Sequence, residues 1–156
     1  MAFYLWMFPL LFIFHDMEEI IGLVPWIHLN ETLLAQKAPA ILKIHKGITT
    51  EGFALAVFEE FIIVLSITLL AYFTQSRALK LVWLGGFVAF ALHLFLRIGQ
   101  SILLRKYIPA LITSILCFPI SAYLITDIVH LWRVSTSEFF LFSLVDSGIV
   151  VINLLF

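Results

Sequence analysis

Phe14-His15-Asp16-Met17-Glu18-Glu19-Ile20 is the segment around which the rest of the chain has to fold. It places four ionisable side chains inside a stretch that is otherwise made of Leu, Phe, Ile, Trp and Met. In a helix, His15 lies one turn from both Glu18 and Glu19, because residues three and four apart share a face. Burying a charged side chain in hydrocarbon costs about 2.5 to 3.5 kcal/mol on insertion scales. The rest of the chain is therefore expected to supply whatever neutralises these acids.

The composition is that of an integral membrane protein. Of 156 residues, 63% are hydrophobic and only 12% are charged, and the mean hydropathy is +1.12. A soluble domain contains about 45–50% apolar and about 25% charged residues, so we expect membrane lipids to surround this chain. A net charge of −1 and a pI near 6.5 provide no basic surface for nucleic acid. Cys117 is the single cysteine, which excludes an internal disulfide and a site built from several thiolates.

The apolar segments predict an all-α membrane protein, a bundle of five transmembrane helices forming one domain over residues 1–156. A spanning helix needs about 20 mostly apolar residues. Five segments meet this length, at residues 2–21, 50–73, 80–104, 108–131 and 138–156. The last three connections are short, so neighbouring helices are expected to run antiparallel and pack together. The longer first connection has an amphipathic pattern at residues 30–46, which predicts an interfacial helix bent near Pro39.

The loop charges predict the orientation of this bundle, because cytoplasmic loops are enriched in Lys and Arg. The connections on one side carry five such residues and those on the other side carry three: Lys37, Lys43, Lys46, Arg105 and Lys106 against Arg77, Lys80 and Arg133. This imbalance favours an outside N-terminus and a cytoplasmic C-terminus in a cell membrane.

Polar side chains occur at overlapping depths on four of the five predicted helices. With about 1.5 Å of rise per residue, they fall near the middle of the bundle or in the half nearer the long connection. Helix by helix, they are His15, Glu18 and Glu19, then Glu59 and Glu60, then His93, Arg97 and Gln100, and lastly Asp146 and Asn153. Polar groups inside a membrane pair with one another or mark a functional site. We therefore expect these side chains to meet in the bundle interior.

The charges of this group do not balance. Arg97 is the one obligate cation, whereas six carboxyl groups lie at similar depths: Asp16, Glu18, Glu19, Glu59, Glu60 and Asp146. Either several carboxyls are protonated within a hydrogen-bonded polar core, or a cation lies among them. Histidine nitrogen and carboxylate oxygen, without sulfur, suit zinc, iron or manganese. We predict a divalent metal ion with His15, Glu18, Glu59 and His93 as its ligands.

The order of these motifs resembles a known family. The predicted helices contain His15-x-x-Glu18-Glu19, then Glu59-Glu60, then His93-x-x-x-Arg97-x-x-Gln100-Ser101, followed by Arg105-Lys106-Tyr107-Ile108-Pro109. This set is similar to the small bacterial membrane proteins named for their HxxEE motif, and the similarity is clearest from His15 to Pro109. The resemblance implies a bacterial cytoplasmic membrane and a metal or catalytic role for the motif, and it leaves the reaction open.

The leading hypothesis is a membrane-embedded enzyme with hydrolytic or acid–base chemistry. Its substrate would be amphiphilic, such as a lipid, an isoprenoid or a lipidated peptide, because the site lies at membrane depth. Glu19, Glu60 and Arg97 would be catalytic, with a glutamate accepting a proton from metal-activated water and Arg97 holding an anionic head group. Three further polar residues would support the ligands or contact the substrate: Gln100, Asp146 and Asn153.

Three alternatives use the same residues. A metal-free enzyme would activate water with paired glutamates, as intramembrane CAAX-type proteases do, but the fifth position after Glu59 is Val64 where that family has Arg. A transport protein would pass protons or metal ions along the carboxylates. Five helices without repeat or broken-helix signals argue against a secondary transporter within one protomer, and a homo-oligomer would remove this objection. An accessory subunit would use the polar core only to set the register of its helices.

Overall fold

Helices account for nearly all of the chain that the structure describes. The structure is a computed structural model, which covers residues 2–44 and 47–155, with side chains for residues 3–40, 42–43 and 47–148. Within these ranges the chain contains no β-strand. The helices are α1 (Ala2–Leu29), α2 (Glu31–Lys37), α3 (Pro39–Ile44), α4 (Thr50–Thr74), α5 (Arg77–Leu104), α6 (Leu111–Leu131) and α7 (Thr136–Leu155). The predicted all-α fold is confirmed.

Within the described residues, three helices are long and apolar enough to cross a membrane, namely α4, α5 and α6. The helix α1 is 28 residues long but carries Asp16, Glu18 and Glu19 in its second half. The helix α7 continues into residues 149–155, whose side chains lie outside the described part of the structure. The predicted bundle of five spans therefore depends on α1 and α7.

The helix α1 extends beyond its predicted end at residue 21, through Pro25 to Leu29. Its last turns are held by burial, because Leu23 and Ile27 pack with Leu34 of α2, with Leu104 at the end of α5 and with Ile108 in the connector to α6. The free energy gained by this burial compensates for the backbone hydrogen bond that Pro25 cannot form, since proline has no amide hydrogen. The extension carries the helix past its polar segment to an apolar contact at the end of the bundle.

The predicted helix at residues 30–46 is observed as two short helices, α2 and α3, separated at Ala38. Ala38 has φ −150° and ψ 59°, outside the helical region. The following residue is Pro39, whose ring disfavours helical geometry in the residue before it. Leu34 is fully buried and attaches α2 to the bundle, while His45 and Lys46 lie outside the described residues.

The helices α1 and α5 occupy opposite corners of a four-helix arrangement. The helix α1 packs against α4 and α6, and α5 packs against α4 and α6 as well as α7. Between them, Phe8 of α1 stacks on Phe87 of α5, with ring centroids 5.2 Å apart. One layer further along, the His15 ring meets Phe90 edge-on, at 5.7 Å between centroids. The aromatic core is thus followed along the bundle by a layer that contains His15 and His93.

Two contacts fix α5 among its other neighbours. The indole N–H of Trp83 donates to Thr68 Oγ1 of α4 at 3.0 Å, and both side chains are fully buried. On the other side, α7 approaches closely at Gly85. A Cβ there would overlap the Asp146 carboxyl and lie 2.7 Å from the Phe142 carbonyl oxygen. The helix α7 therefore lies against α5 at a point where only glycine fits.

Candidate metal centre

Three side chains converge between α1 and α5. His15, Glu19 and His93 each offer one ligand atom, and these atoms all lie within 4.8 Å of one another. Glu19 Oε2 lies 3.5 Å from His15 Nε2 and 3.4 Å from His93 Nε2. His15 and Glu19 share a face because they are four residues apart, and the diagonal placement of α5 brings in His93. The side chains of His15 and Glu19 are 0% and 3% exposed, and that of His93 is 28% exposed.

The donor set fits a transition-metal ion. Two imidazole nitrogens and one carboxylate oxygen are the protein ligands of many catalytic zinc sites and of non-haem iron sites. His15 Nε2 is buried and has no hydrogen-bond partner. Buried polar atoms in proteins are nearly always paired, so this nitrogen is placed where a cation could accept its lone pair. The group of His15, Glu19 and His93 could hold a metal ion.

Arg97 neutralises Glu19. Its guanidinium pairs with Glu19 Oε1 and donates a second hydrogen bond to Gln100 Oε1 at 3.3 Å. The two oxygens of Glu19 therefore have separate partners, since Oε1 faces Arg97 and Oε2 faces the two histidines. The structure thus brings the predicted residues Arg97 and Gln100 to the edge of the group.

Glu18 points away from this group, towards the start of α6. Its Oε2 accepts hydrogen bonds from the Thr113 amide at 2.8 Å and from Thr113 Oγ1 at 2.7 Å. Its Oε1 accepts one from the Tyr107 hydroxyl at 2.5 Å. Successive helical residues point about 100° apart, so Glu18 and Glu19 face different neighbours. The structure does not bring Glu18, predicted as a ligand, among the converging atoms.

The Glu18 carboxylate acts as a cap for α6. Thr113 lies in the first turn of that helix, where amide groups have no partner within the helix, and a negative charge is favourable there. Tyr107 lies in the connector between α5 and α6. Its hydrogen bond to Glu18 raises the pKa of Tyr107 to about 12, since ionisation would break the bond and place two negative charges together.

Thr113 also contacts the histidine layer. Its Oγ1 lies 3.0 Å from His15 Nδ1. Sequence reasoning missed Thr113 and gave Tyr107 no role in this site. The sequence offered one indication of its role. Thr113 follows Pro109 closely and so lies in the first turn of the next helix, where its backbone amide is free to bind a carboxylate.

The remaining predicted residues near the group differ in burial. Glu59 is exposed and does not join the three converging side chains, whereas Glu60 is half-buried. Asp16, which sequence reasoning counted among the acids without giving it a role, is buried with Oδ2 unpartnered. Asp16, Glu60 and His93 lie close enough for their charges to interact. Asp16 and Glu60 are thus the two acids outside the group whose charges act on His93.

Asp146 lies elsewhere. Its carboxyl contacts Gly85, which precedes His93 by eight residues or about 12 Å along a helix. Among the described residues, α7 packs on α5 and has no comparable contact with α1, so the structure does not bring Asp146 to the group of His15, Glu19 and His93. The side chain of Asn153 lies outside the described residues.

A family model covers all the residues of this site. A family model described as "Protein of unknown function with HXXEE motif" matches residues 6–124, which is more than half of the chain. The match includes His15-x-x-Glu18-Glu19, His93 and Thr113. Neither a curated protein nor a solved structure was found to match the chain. The chain belongs to the HXXEE family of proteins of unknown function.

Proposed function

We propose that this protein is a metal-dependent enzyme embedded in a membrane, and that His15, Glu19 and His93 hold one divalent ion. The observation that carries the proposal is His15 Nε2, which is buried, unpartnered and aimed at Glu19 and His93. Buried polar atoms are nearly always paired, so an Nε2 that lies 3.5 Å from Glu19 Oε2 without a hydrogen bond favours an ion between the two atoms. Zinc, iron and manganese all accept this donor set.

The exposed face of α1 supports five spanning helices rather than three. Its acids Asp16 and Glu19 are buried inside the bundle. From residue 3 to residue 21 the outward side chains recur every three or four residues and are all apolar: Phe3, Trp6, Leu10, Phe14, Met17 and Ile21. Charged residues in spanning helices face the bundle interior in this way. In α7, the exposed residues Phe140, Leu141, Leu144 and Val145 form a similar apolar surface.

The chemistry we propose is hydrolysis of an amphiphilic substrate such as a lipid, an isoprenoid or a lipidated peptide. A divalent ion supplies activation of water at neutral pH. Arg97 holds Glu19 in place through Oε1, which leaves Oε2 directed at the histidines. Asp16 and Glu60 are the neighbouring carboxylates that can accept a proton. The partial exposure of His93 leaves the group accessible from one side.

The metal content of the purified protein tests the proposal. We expect close to one equivalent of a transition metal in detergent-purified protein, and its loss in folded His15→Ala. His28→Ala is the matched control, because His28 lies on the same helix but is 63% exposed and outside the group. A wild-type protein without metal in chelator-free preparations, or a folded His15→Ala that keeps its metal, would contradict the metal centre.

The enzymatic part requires a product. We expect metal-loaded wild-type protein to release a hydrolysis product from lipid extracts, prenyl diphosphates or lipidated peptides, detected by mass spectrometry. His28→Ala should release the same product and His15→Ala should not. Stoichiometric metal with no product in any substrate class would favour metal-ion transport, and absence of metal would favour a structural polar core or proton transfer.

A further inference from the structure

We propose that Thr113 and Glu18 set the tautomer of His15, so that the imidazole proton resides on Nδ1 and the lone pair of Nε2 faces Glu19 and His93. Both are positioning residues, since neither lies among the converging ligand atoms. The inference deepens the proposed function and rests on it for the use of the Nε2 lone pair.

The first step is the charge state of Glu18. Its carboxylate receives two hydrogens that do not depend on the Thr113 hydroxyl, one from the Tyr107 hydroxyl and one from the Thr113 amide. A carboxylate that receives several donors is favoured in its ionised form. Both oxygens are therefore acceptors, and Glu18 presents no hydrogen of its own to Thr113.

The second step is the direction of the Thr113 hydroxyl. It has one hydrogen and three neighbouring acceptors or ring atoms: Glu18 Oε2 at 2.7 Å, His15 Nδ1 at 3.0 Å and the Ala110 carbonyl at 3.3 Å. A charged acceptor at the shortest distance forms the strongest hydrogen bond. The hydrogen therefore goes to Glu18, and the Thr113 oxygen presents a lone pair to His15.

The third step follows from the chemistry of imidazole. A ring nitrogen within hydrogen-bond distance of an oxygen lone pair carries the hydrogen. His15 Nδ1 lies 3.0 Å from the Thr113 oxygen and is the donor, whereas Nε2 lies 3.5 Å from Glu19 Oε2 and forms no hydrogen bond. A neutral imidazole has one N–H, which leaves Nε2 with its lone pair. Nε2 is the buried nitrogen that lacks a hydrogen-bond partner. Metal-binding histidines are commonly oriented by an acceptor at the other nitrogen, and here Thr113 places that acceptor between histidine and carboxylate.

The tautomer can be measured by nitrogen NMR on chelator-treated protein in lipid bilayers, with ¹⁵N-labelled histidine. His15→Gln assigns the His15 signals by their disappearance, and His93 serves as the internal control. We expect wild-type His15 to carry its hydrogen on Nδ1 and none on Nε2. Thr113→Val should lose this pattern and Thr113→Ser should keep it. With metal, Thr113→Val should weaken affinity about 10- to 100-fold, while Thr113→Ser stays close to wild type.

A wild-type His15 with a hydrogen on Nε2, or a Thr113→Val protein with the wild-type pattern, would overturn the inference. If Thr113→Val does not fold, the wild-type and Thr113→Ser spectra still decide it. Because the spectra are recorded without metal, the two proposals fail separately. A protein with the expected tautomer and no metal affinity refutes the metal centre alone, and a metal-binding protein with the opposite tautomer refutes the positioning role alone.

Discussion

Among single residues, Arg97 explains how the bundle tolerates a buried acid. Glu19 is only 3% exposed and Arg97 is 13% exposed, so the two charges are neutralised by each other and not by solvent. A buried ion pair gives little net stability compared with apolar residues, but removing one partner leaves an uncompensated charge. The consequence of losing Arg97 should therefore depend on whether Glu19 is still charged.

We expect Arg97→Met to destabilise the protein by about 3–5 kcal/mol, because the Glu19 carboxylate is left unpaired. The double variant Arg97→Met/Glu19→Gln should recover a large part of this loss. Denaturant unfolding in detergent, followed by tryptophan fluorescence, measures both. Arg77→Met is the matched control, since its pair with Glu138 is largely exposed and exposed pairs contribute little. Equal losses for Arg97→Met and Arg77→Met would refute this explanation.

The sequence predicts that His15, Glu19, His93 and Arg97 lie at one depth, because helical rise converts residue number into position. The structure brings these four together. Whether Glu18 or Glu19 faces the histidines depends on the rotation of α1 about its axis. The sequence does not determine this rotation, because α1 has apolar residues on several of its faces. Thr113 could not be predicted, because its contact with Glu18 depends on how the α5–α6 connector places the start of α6.

Between elements, the approach of α7 to α5 depends on Gly85. The length and apolar content of their segments predicted both helices, but these properties could not show against which helix α7 would pack. Gly85 and Gly99 lie on the same helix, and only Gly85 faces another backbone. The packing of α7 on α5 also keeps Asp146 away from His15, Glu19 and His93, because the Asp146 carboxyl lies against Gly85.

We expect Gly85→Ala to destabilise the protein by about 1–3 kcal/mol, as overpacked core substitutions do. The added methyl would overlap the Asp146 carboxyl and crowd the Phe142 carbonyl oxygen at 2.7 Å. Gly99→Ala is the control, because nothing lies within 4 Å of its Cβ position. It should be neutral or stabilising by up to about 1 kcal/mol through helix propensity. Comparable unfolding curves for the two variants would show that α7 does not need this close approach.

For the whole molecule, the membrane crossing of α1 determines whether the group of His15, Glu19 and His93 lies inside the bilayer, because this group is formed between α1 and α5. The proposed metal centre would have two ligands on α1 and one on α5, and α5 is long and apolar enough to span a membrane. If α1 also crosses, His15 and Glu19 lie inside the bilayer, where an amphiphilic substrate is required. The five-helix topology and the chemistry of the substrate are therefore linked.

We expect the N-terminus to lie outside and the C-terminus to be cytoplasmic. A cysteine tag at either terminus, together with Gln36→Cys and Ser137→Cys at exposed positions, can be labelled in intact cells with a membrane-impermeant maleimide. The N-terminal tag and Ser137→Cys should react, whereas the C-terminal tag and Gln36→Cys should react only after permeabilisation. Native Cys117 is buried and serves as the silent background. An N-terminal tag that reacts from the same side as Gln36→Cys would show that α1 does not cross, and would place the metal centre outside the hydrocarbon.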